Sequence, residues 1–198
     1  ITTLLGLITA GAHLYKLGVK KKSEAEAIWQ KCYCVTLGHY LGQGRKLLLV
    51  LIRHFGRDHV AELQASQLEA QSVWVLVVSF GCMEGAQLWL EQTGCSFDML
   101  LDPQRKIYRS FGLCSSYAKV MKFGCLLRYS EYEAVGRDFP DIPPRLLEDI
   151  YQMGGDFLLD EAGKVLLCHS SKTPLDRPTA SDILQAVDAA GCSTHTAQ

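Results

Sequence analysis

The chain contains no asparagine, so it offers no acceptor for N-glycosylation. It also lacks a clustered basic face. Lys and Arg number 20 against 21 Asp and Glu, for a formal net charge of −1, and the signs are interspersed. That balance speaks against a surface for nucleic acid or an anionic membrane, either of which calls for basic residues gathered on one side. No second cysteine pair accompanies Cys32-Tyr33-Cys34 and His39, so the spacing of a zinc site is missing and no metal is expected. Gly42-Gln43-Gly44-Arg45-Lys46 lacks the Walker spacing and the Ser or Thr after its lysine, and it precedes a strand instead of following one. It reads as a turn. The chain opens on Ile1 with no methionine, which suggests a fragment or a processed product, with a lost targeting segment still open.

What is present describes an ordered globular chain. With 198 residues, 48% hydrophobic and 21% charged, it can bury a full core as one domain. Its eight cysteines are scattered without paired spacing, which suits a reducing compartment, the cytoplasm, better than a disulfide-stapled secreted fold.

The organising stretch is Lys46 to Leu63, KLLLVLIRHFGRDHVAEL. The branched apolar run Leu47 to Ile52 is what a strand buried on both faces requires, and the pattern turns helical after Asp58, a good N-cap type. Only Phe55, Gly56 and Arg57 separate the polar end of the strand from that helix start. Such a turn joins the carboxyl end of a strand to the positive end of a helix, where open α/β sheets hold ligands or reactive groups. This one has no cysteine, serine or lysine.

Upstream, Ile1 to Val19 places Thr2, Thr9, His13, Lys16 and Lys20 on one side at helical spacing and Leu4, Leu7, Ile8, Leu14 and Tyr15 on the other. The expectation is an amphipathic helix. A membrane span needs about 20 nearly uncharged residues, and His13 and Lys16 interrupt this run, so packing of Thr2–Lys20 on its own domain, on a partner or at a bilayer surface stays open. Ser23-Glu24-Ala25-Glu26 has the form of a capping box and opens a second helix through Trp29.

Downstream, Val73 to Ser79 reads as a second apolar strand, followed by a helix from Met83 to Gln92 with a C-cap at Thr93-Gly94. Phe97 to Leu101 is a third strand, and Asp102-Pro103 opens a helix running to Phe111. The β-α-β-α-β-α alternation implies parallel neighbours with right-handed crossovers. Tyr117, Val120, Met121, Cys125, Leu126 and Leu127 suggest one amphipathic helix in an insertion, followed by a proline-bearing loop and a short helix at Arg145 to Tyr151. Asp156 to Leu159, the turn Asp160-Glu161-Ala162-Gly163 and Lys164 to His169 form a hairpin signal. A last helix runs from Thr179 or Ser181 to Ala189. The expected organisation is a helical arm and lead-in over residues 1–45, a domain over 46–191 with an insertion at 114–153, and a loose tail at 192–198.

This order resembles a thioredoxin-like α/β fold in its peroxiredoxin-type version, with a central mixed sheet. The segments LLLVLIRHFG, VWVLVVS, LLDPQRKIYRSFGL and GGDFLLDEAGKVLLCHSSKTPLDRPTASDILQAV are similar to the AhpC/TSA-type peroxiredoxin-like family, most nearly its selenoprotein L members, over about Leu47 to Val187. The resemblance implies thiol or selenol redox chemistry of antioxidant type. Its substrate would be a peroxide or disulfide, and its reductant of thioredoxin or glutathione type. It also implies a Cys-x-x-Cys motif, or a selenocysteine pair of the same spacing, between Gly56 and Arg57. Here the sequence runs straight on, so no catalytic residue of the family is carried over. Two explanations stand: a selenocysteine-bearing loop missing from this sequence, or an isoform that keeps the fold and acts by binding.

Other residues invite weighing. Cys82, just after the second strand and at a helix start, is the fallback thiol. Cys95, Cys114, Cys125 and Cys168 fall on apolar or strand patterns and are expected in the core. Arg57 could stabilise a thiolate or a peroxide anion, and His54 and His59 could carry protons, were the motif restored. Gly154-Gly155 stands where thioredoxins place a cis-proline, which puts thioredoxin-type recognition of dithiol substrates in doubt.

Overall fold

The computed structural model describes residues 14–17, 33–53, 60, 63, 65–135, 141–146 and 148–192. Among these residues, seven strands form one sheet: β1 (Leu14–Leu17), β2 (Tyr33–Val35), β3 (Lys46–Leu51), β4 (Val73–Ser79), β5 (Asp98–Leu101), β6 (Gly155–Leu159) and β7 (Val165–Ser170). Their spatial order is β2-β1-β5-β4-β3-β6-β7. β3, β4 and β5 run parallel, and β6 returns antiparallel beside β3 to pair with β7. The helices are α1 (Ala65–Ala70), α2 (Met83–Thr93), α3 (Lys106–Ser110), α4 (Tyr117–Val120), α5 (Phe123–Ala134) and α6 (Ala180–Cys192).

β3 shows why the sheet is central. Leu47 through Leu51 are fully buried, and successive side chains alternate between faces. Leu48, Val50 and Ile52 join Leu68, Trp89, Ile183 and Val187 of α1, α2 and α6 on one side. Leu47, Leu49 and Leu51 join Tyr40, Ile107, Tyr108 and Phe157 on the other. A strand apolar at every position is therefore read correctly as covered on both faces. Gly42 and Gly44, at φ 74° and 70°, make the turn before it.

Several expectations need correction. Leu14–Leu17, read as part of the amphipathic helix Thr2–Lys20, is a strand pairing antiparallel with both β2 and β5. The edge of β5 offers it unpaired backbone groups, and that ladder outweighs the helical spacing of side chains. The helix at Ser23–Trp29 and the remainder of Thr2–Lys20 lie outside the described residues, as do Cys32 and the tail 193–198. Asp102 does cap, its carboxylate accepting from the amides of Lys106 and Ile107 at 3.0 and 2.7 Å, but Arg105 sits at φ 52° and α3 starts only at Lys106. The single helix expected from Tyr117 to Leu127 is two, broken at Lys122, whose backbone is extended. Val120 and Cys125 are both buried; on an unbroken helix five residues would separate them by about 140°, and the break turns both inward. The helix expected at Arg145–Tyr151 is reduced to a 3-10 turn over Pro144–Leu146. Beyond it, the Asp149 carboxylate takes the Tyr151 amide, a local alternative to helical bonding. Among the expected core cysteines, Cys125 is buried and Cys95 partly so, whereas Cys114 and Cys168 are exposed. Cys168 points outward from the edge strand β7.

Candidate active site at the carboxyl end of the parallel strands

β3 ends on three anchored residues. Leu51 O accepts from Arg177 Nη2 at 2.8 Å. The Tyr108 hydroxyl lies 2.7 Å from Ile52 O and 2.8 Å from Val78 O, so its single proton serves the ends of β3 and β4. Complete burial raises the Tyr108 pKa well above the ordinary phenol value, which keeps it a donor at any physiological pH. Arg53, immediately beyond, donates from Nη1 to Tyr129 Oη at 2.5 Å and from Nη2 to Ile150 O at 2.8 Å. The chain then enters 54–59. Phe55, Gly56 and Arg57, together with His54, Asp58 and His59, lie outside the described residues. What the structure establishes is the frame that feeds this turn.

The frame is charged in an ordered way. Arg177 also donates from Nη1 to Asp156 Oδ2 at 2.9 Å, a carboxylate with no solvent exposure. Gly154 makes room for this pair: a Cβ there would run into Arg177 Nη2 and Leu51 O. No peptide bond among the described residues is cis, so Gly154-Gly155 serves close approach of a side chain rather than a proline turn. Arg105 stacks over Phe80 at 4.8 Å and pairs with Asp149 at 2.7 Å. Desolvation alone would raise the Asp149 pKa, but hydrogen bonds from Ser115, the Tyr151 amide and Arg105 carry it below the usual carboxylate value. Arg53 differs from Arg105 and Arg177 because the two acceptors that it meets among the described residues, Tyr129 Oη and Ile150 O, are neutral. Burial raises the Tyr129 pKa, against the lowering effect of Arg53.

The insertion is built onto this end of the sheet. Its two ends meet in a neck, where Ser116 N donates to Tyr151 O at 2.9 Å and Met153 N to Cys114 O at 3.2 Å. Arg145 grips Glu84 in the first turn of α2 at 2.7 Å, and Tyr129 of α5 reaches Arg53. Cys82 stands at the same end of the sheet, as N-cap of α2, with its Sγ accepting from Gly85 N at 3.4 Å. It is half-buried, and among the described residues no group of three His, Cys, Asp or Glu is placed to hold a metal.

The frame residues Arg53, Tyr108, Tyr129, Asp156 and Arg177 were not singled out from the sequence. One signal was available: Asp156 is the second residue of the apolar strand GDFLL, and a carboxylate inside a buried strand demands a cationic partner.

The AhpC/TSA antioxidant enzyme model matches residues 61–173, more than half of the chain. The chain belongs to the AhpC/TSA antioxidant enzyme family. Solved structures of similar fold agree. AhpC from Enterococcus faecalis aligns at TM-score 0.57 and 14% identity over 85% of this chain and 86% of that one. The 2-Cys peroxiredoxin of Plasmodium vivax aligns at 0.57 and 14% over 84% and 75%, and peroxiredoxin Q of Xanthomonas campestris at 0.51 and 15% over 80% and 85%. At such identity these likenesses speak for the thioredoxin-like, peroxiredoxin-type fold. No curated protein sequence matches the chain. The family model includes β4 to β7 and the whole insertion, so the neck and the Asp156 end of the frame lie within the AhpC/TSA portion, with Leu51, Arg53 and Arg177 just outside it.

Proposed function

We propose that this chain carries the scaffold of a peroxidase-type redox protein of the AhpC/TSA family, whose reactive turn is 54–59 and which, with a redox motif in that turn, would act on peroxide with a thiol reductant of thioredoxin or glutathione type. The observation that carries this reading is Arg53, a guanidinium bonded to the neutral Tyr129 hydroxyl and Ile150 carbonyl at the mouth of that turn. A cation beside a helix start lowers a thiol pKa and favours the thiolate, the form that attacks peroxide. Arg177 and Tyr108 fix the strand end from which the turn departs, so a nucleophile placed between Gly56 and Arg57 would have a defined base. A Cys-x-x-Cys motif, or selenocysteine at the same spacing, would supply that nucleophile. Phe55-Gly56-Arg57 as written supplies none, and the chain in this form is inactive.

Intact mass and peptide mapping of the native protein across Phe55–Asp58 provide the first test. Extra residues between Gly56 and Arg57 support the reading, whereas peptides running directly FGRD establish the inactive form. The second test is peroxide-dependent NADPH consumption coupled through thioredoxin. The chain as written should give background rates, and the chain with Cys-x-x-Cys inserted after Gly56 should give turnover. Turnover by the unmodified chain that disappears in Cys82→Ser would overturn the assignment and move it to Cys82.

A further inference from the structure

Both acceptors that hold the Arg53 guanidinium come from the insertion: Tyr129 Oη from α5, and Ile150 O from the segment that returns to the neck. Its Nε is buried and meets no hydrogen-bond partner among the described residues. A buried donor left unbonded costs free energy, so the place of this guanidinium is imposed by its two Nη bonds and not by Nε. Ile150 lies outside every helix and strand. Its carbonyl is held instead through its two neighbours. On one side Asp149 takes Arg105 Nη1 at 2.7 Å and the Ser115 hydroxyl. On the other, Tyr151 N donates to Asp149 Oδ1 at 2.9 Å and Tyr151 O accepts from Ser116 N at 2.9 Å. Arg105, the N-cap of α3, is the member of this set that lies outside the insertion. It is also placed at a cost. Its φ of 52° is a conformation that a non-glycine residue keeps only where surrounding contacts enforce it, and here the Phe80 ring and the Asp149 carboxylate do so.

We propose that Arg105 is a positioning residue: through Asp149 it sets the carbonyl of Ile150, and so places the Arg53 guanidinium at the entry to 54–59. Asp149 is the joint between the two arginines. Its carboxylate binds Arg105 with one oxygen and the Tyr151 amide with the other, which fixes the backbone on both sides of Ile150. Tyr129 supplies the second hold on Arg53 from α5, so the guanidinium is gripped from both limbs of the insertion. The functional meaning of this linkage rests on the redox reading of the turn, in which Arg53 favours a thiolate; the linkage itself is a matter of geometry.

The test is hydrogen exchange at the arginine Nε–H groups of the full chain, read by heteronuclear NMR in the wild type, Arg105→Met and Asp149→Asn. Met keeps an apolar contact for Phe80 and Asn keeps an oxygen for the Tyr151 amide, so each variant removes the charge pair with little change of shape. Arg177, bonded to Asp156 and Leu51 O, is the internal control. Exchange at Arg53 Nε–H should rise by about tenfold or more in both variants, as expected for the loss of one hydrogen bond to a charged group, with Arg177 unchanged. Arg105→Lys, which keeps the charge, should recover part of the protection. Equal acceleration at Arg53 and Arg177 would overturn the proposal, because it describes a general loosening. Unchanged exchange at Arg53 would overturn it too, because Tyr129 would then hold the guanidinium unaided. Either variant carries the test if the other does not fold. The measurement needs neither peroxide nor a nucleophile, so its failure leaves the redox reading standing, and background peroxidase rates from a motif-bearing chain would leave the linkage standing.

Discussion

Arg177 and Asp156 form an ion pair at 2.9 Å whose carboxylate is wholly buried and whose guanidinium also holds the last carbonyl of β3. One side chain, donated by the segment after the hairpin, thereby joins β3 and β6.

Removing the cation should be costly. Arg177→Met deprives the buried Asp156 of its counter-charge and should lower unfolding free energy by about 3 kcal/mol or more, read from urea denaturation. Arg177→Met/Asp156→Leu should recover much of that loss. A cost below about 1 kcal/mol for the single variant would mean that the pair behaves as an exposed one. Gly154→Ala should cost about 1–3 kcal/mol by the same measurement, because the added methyl displaces the guanidinium from Leu51 O.

Tyr108→Phe probes the strand ends without changing shape. Val78 O keeps the Ile52 amide at 3.0 Å, but Ile52 O loses the hydroxyl. The expected loss is about 1–2 kcal/mol in the same denaturation experiment, and an unchanged midpoint would show that water replaces the hydroxyl there.

Alkaline pH should unfold the protein through its buried phenols. Burial, with the Asp98 charge adding to it, pushes the Tyr40 pKa from 10.0 up to about 12, and burial raises Tyr108 and Tyr129 as well. The folded state therefore holds phenol protons that the unfolded chain releases. This stability is complete below pH 10 and falls as pH rises toward about 12. Denaturation midpoints measured across that interval should decline, and more shallowly in Tyr40→Phe. A decline of equal slope in both proteins would remove Tyr40 from the account.

Thiol labelling should follow exposure. Of the five cysteines whose exposure is described, Cys114 and Cys168 should react first with an alkylating reagent, Cys82 and Cys95 more slowly, and Cys125 only after local opening. Burial raises the Cys95 pKa, which slows it further. Peptide-resolved mass spectrometry gives the order, and early modification of Cys125 would contradict the packing of α5. Cys82→Ser should leave stability nearly unchanged, since a serine hydroxyl also accepts from Gly85 N.

Legibility followed the locality of the forces involved. Val73–Ser79 and the β6–β7 hairpin were readable because continuous or turn-bounded apolar runs allow few other structures. Met83–Thr93 was readable because Gly94, at φ 63°, marks its end. The insertion was less legible: Tyr117 to Leu127 has enough apolar residues for one inward face, yet Val120 and Cys125 face inward only because the helix breaks between them.

By itself, the sequence determined the covered parallel core, the hairpin and the absence of a nucleophile at Phe55-Gly56-Arg57, since each is a matter of composition or short-range pattern. Tertiary structure alone decided that Leu14–Leu17 adds to β5 as a strand. It alone brought Arg53 to Tyr129 and Arg177 to Asp156 and Leu51, and it alone turned Phe123 and Leu127 outward. A guanidinium chooses its partners, and an edge strand its neighbour, only after segments far apart in the chain have packed.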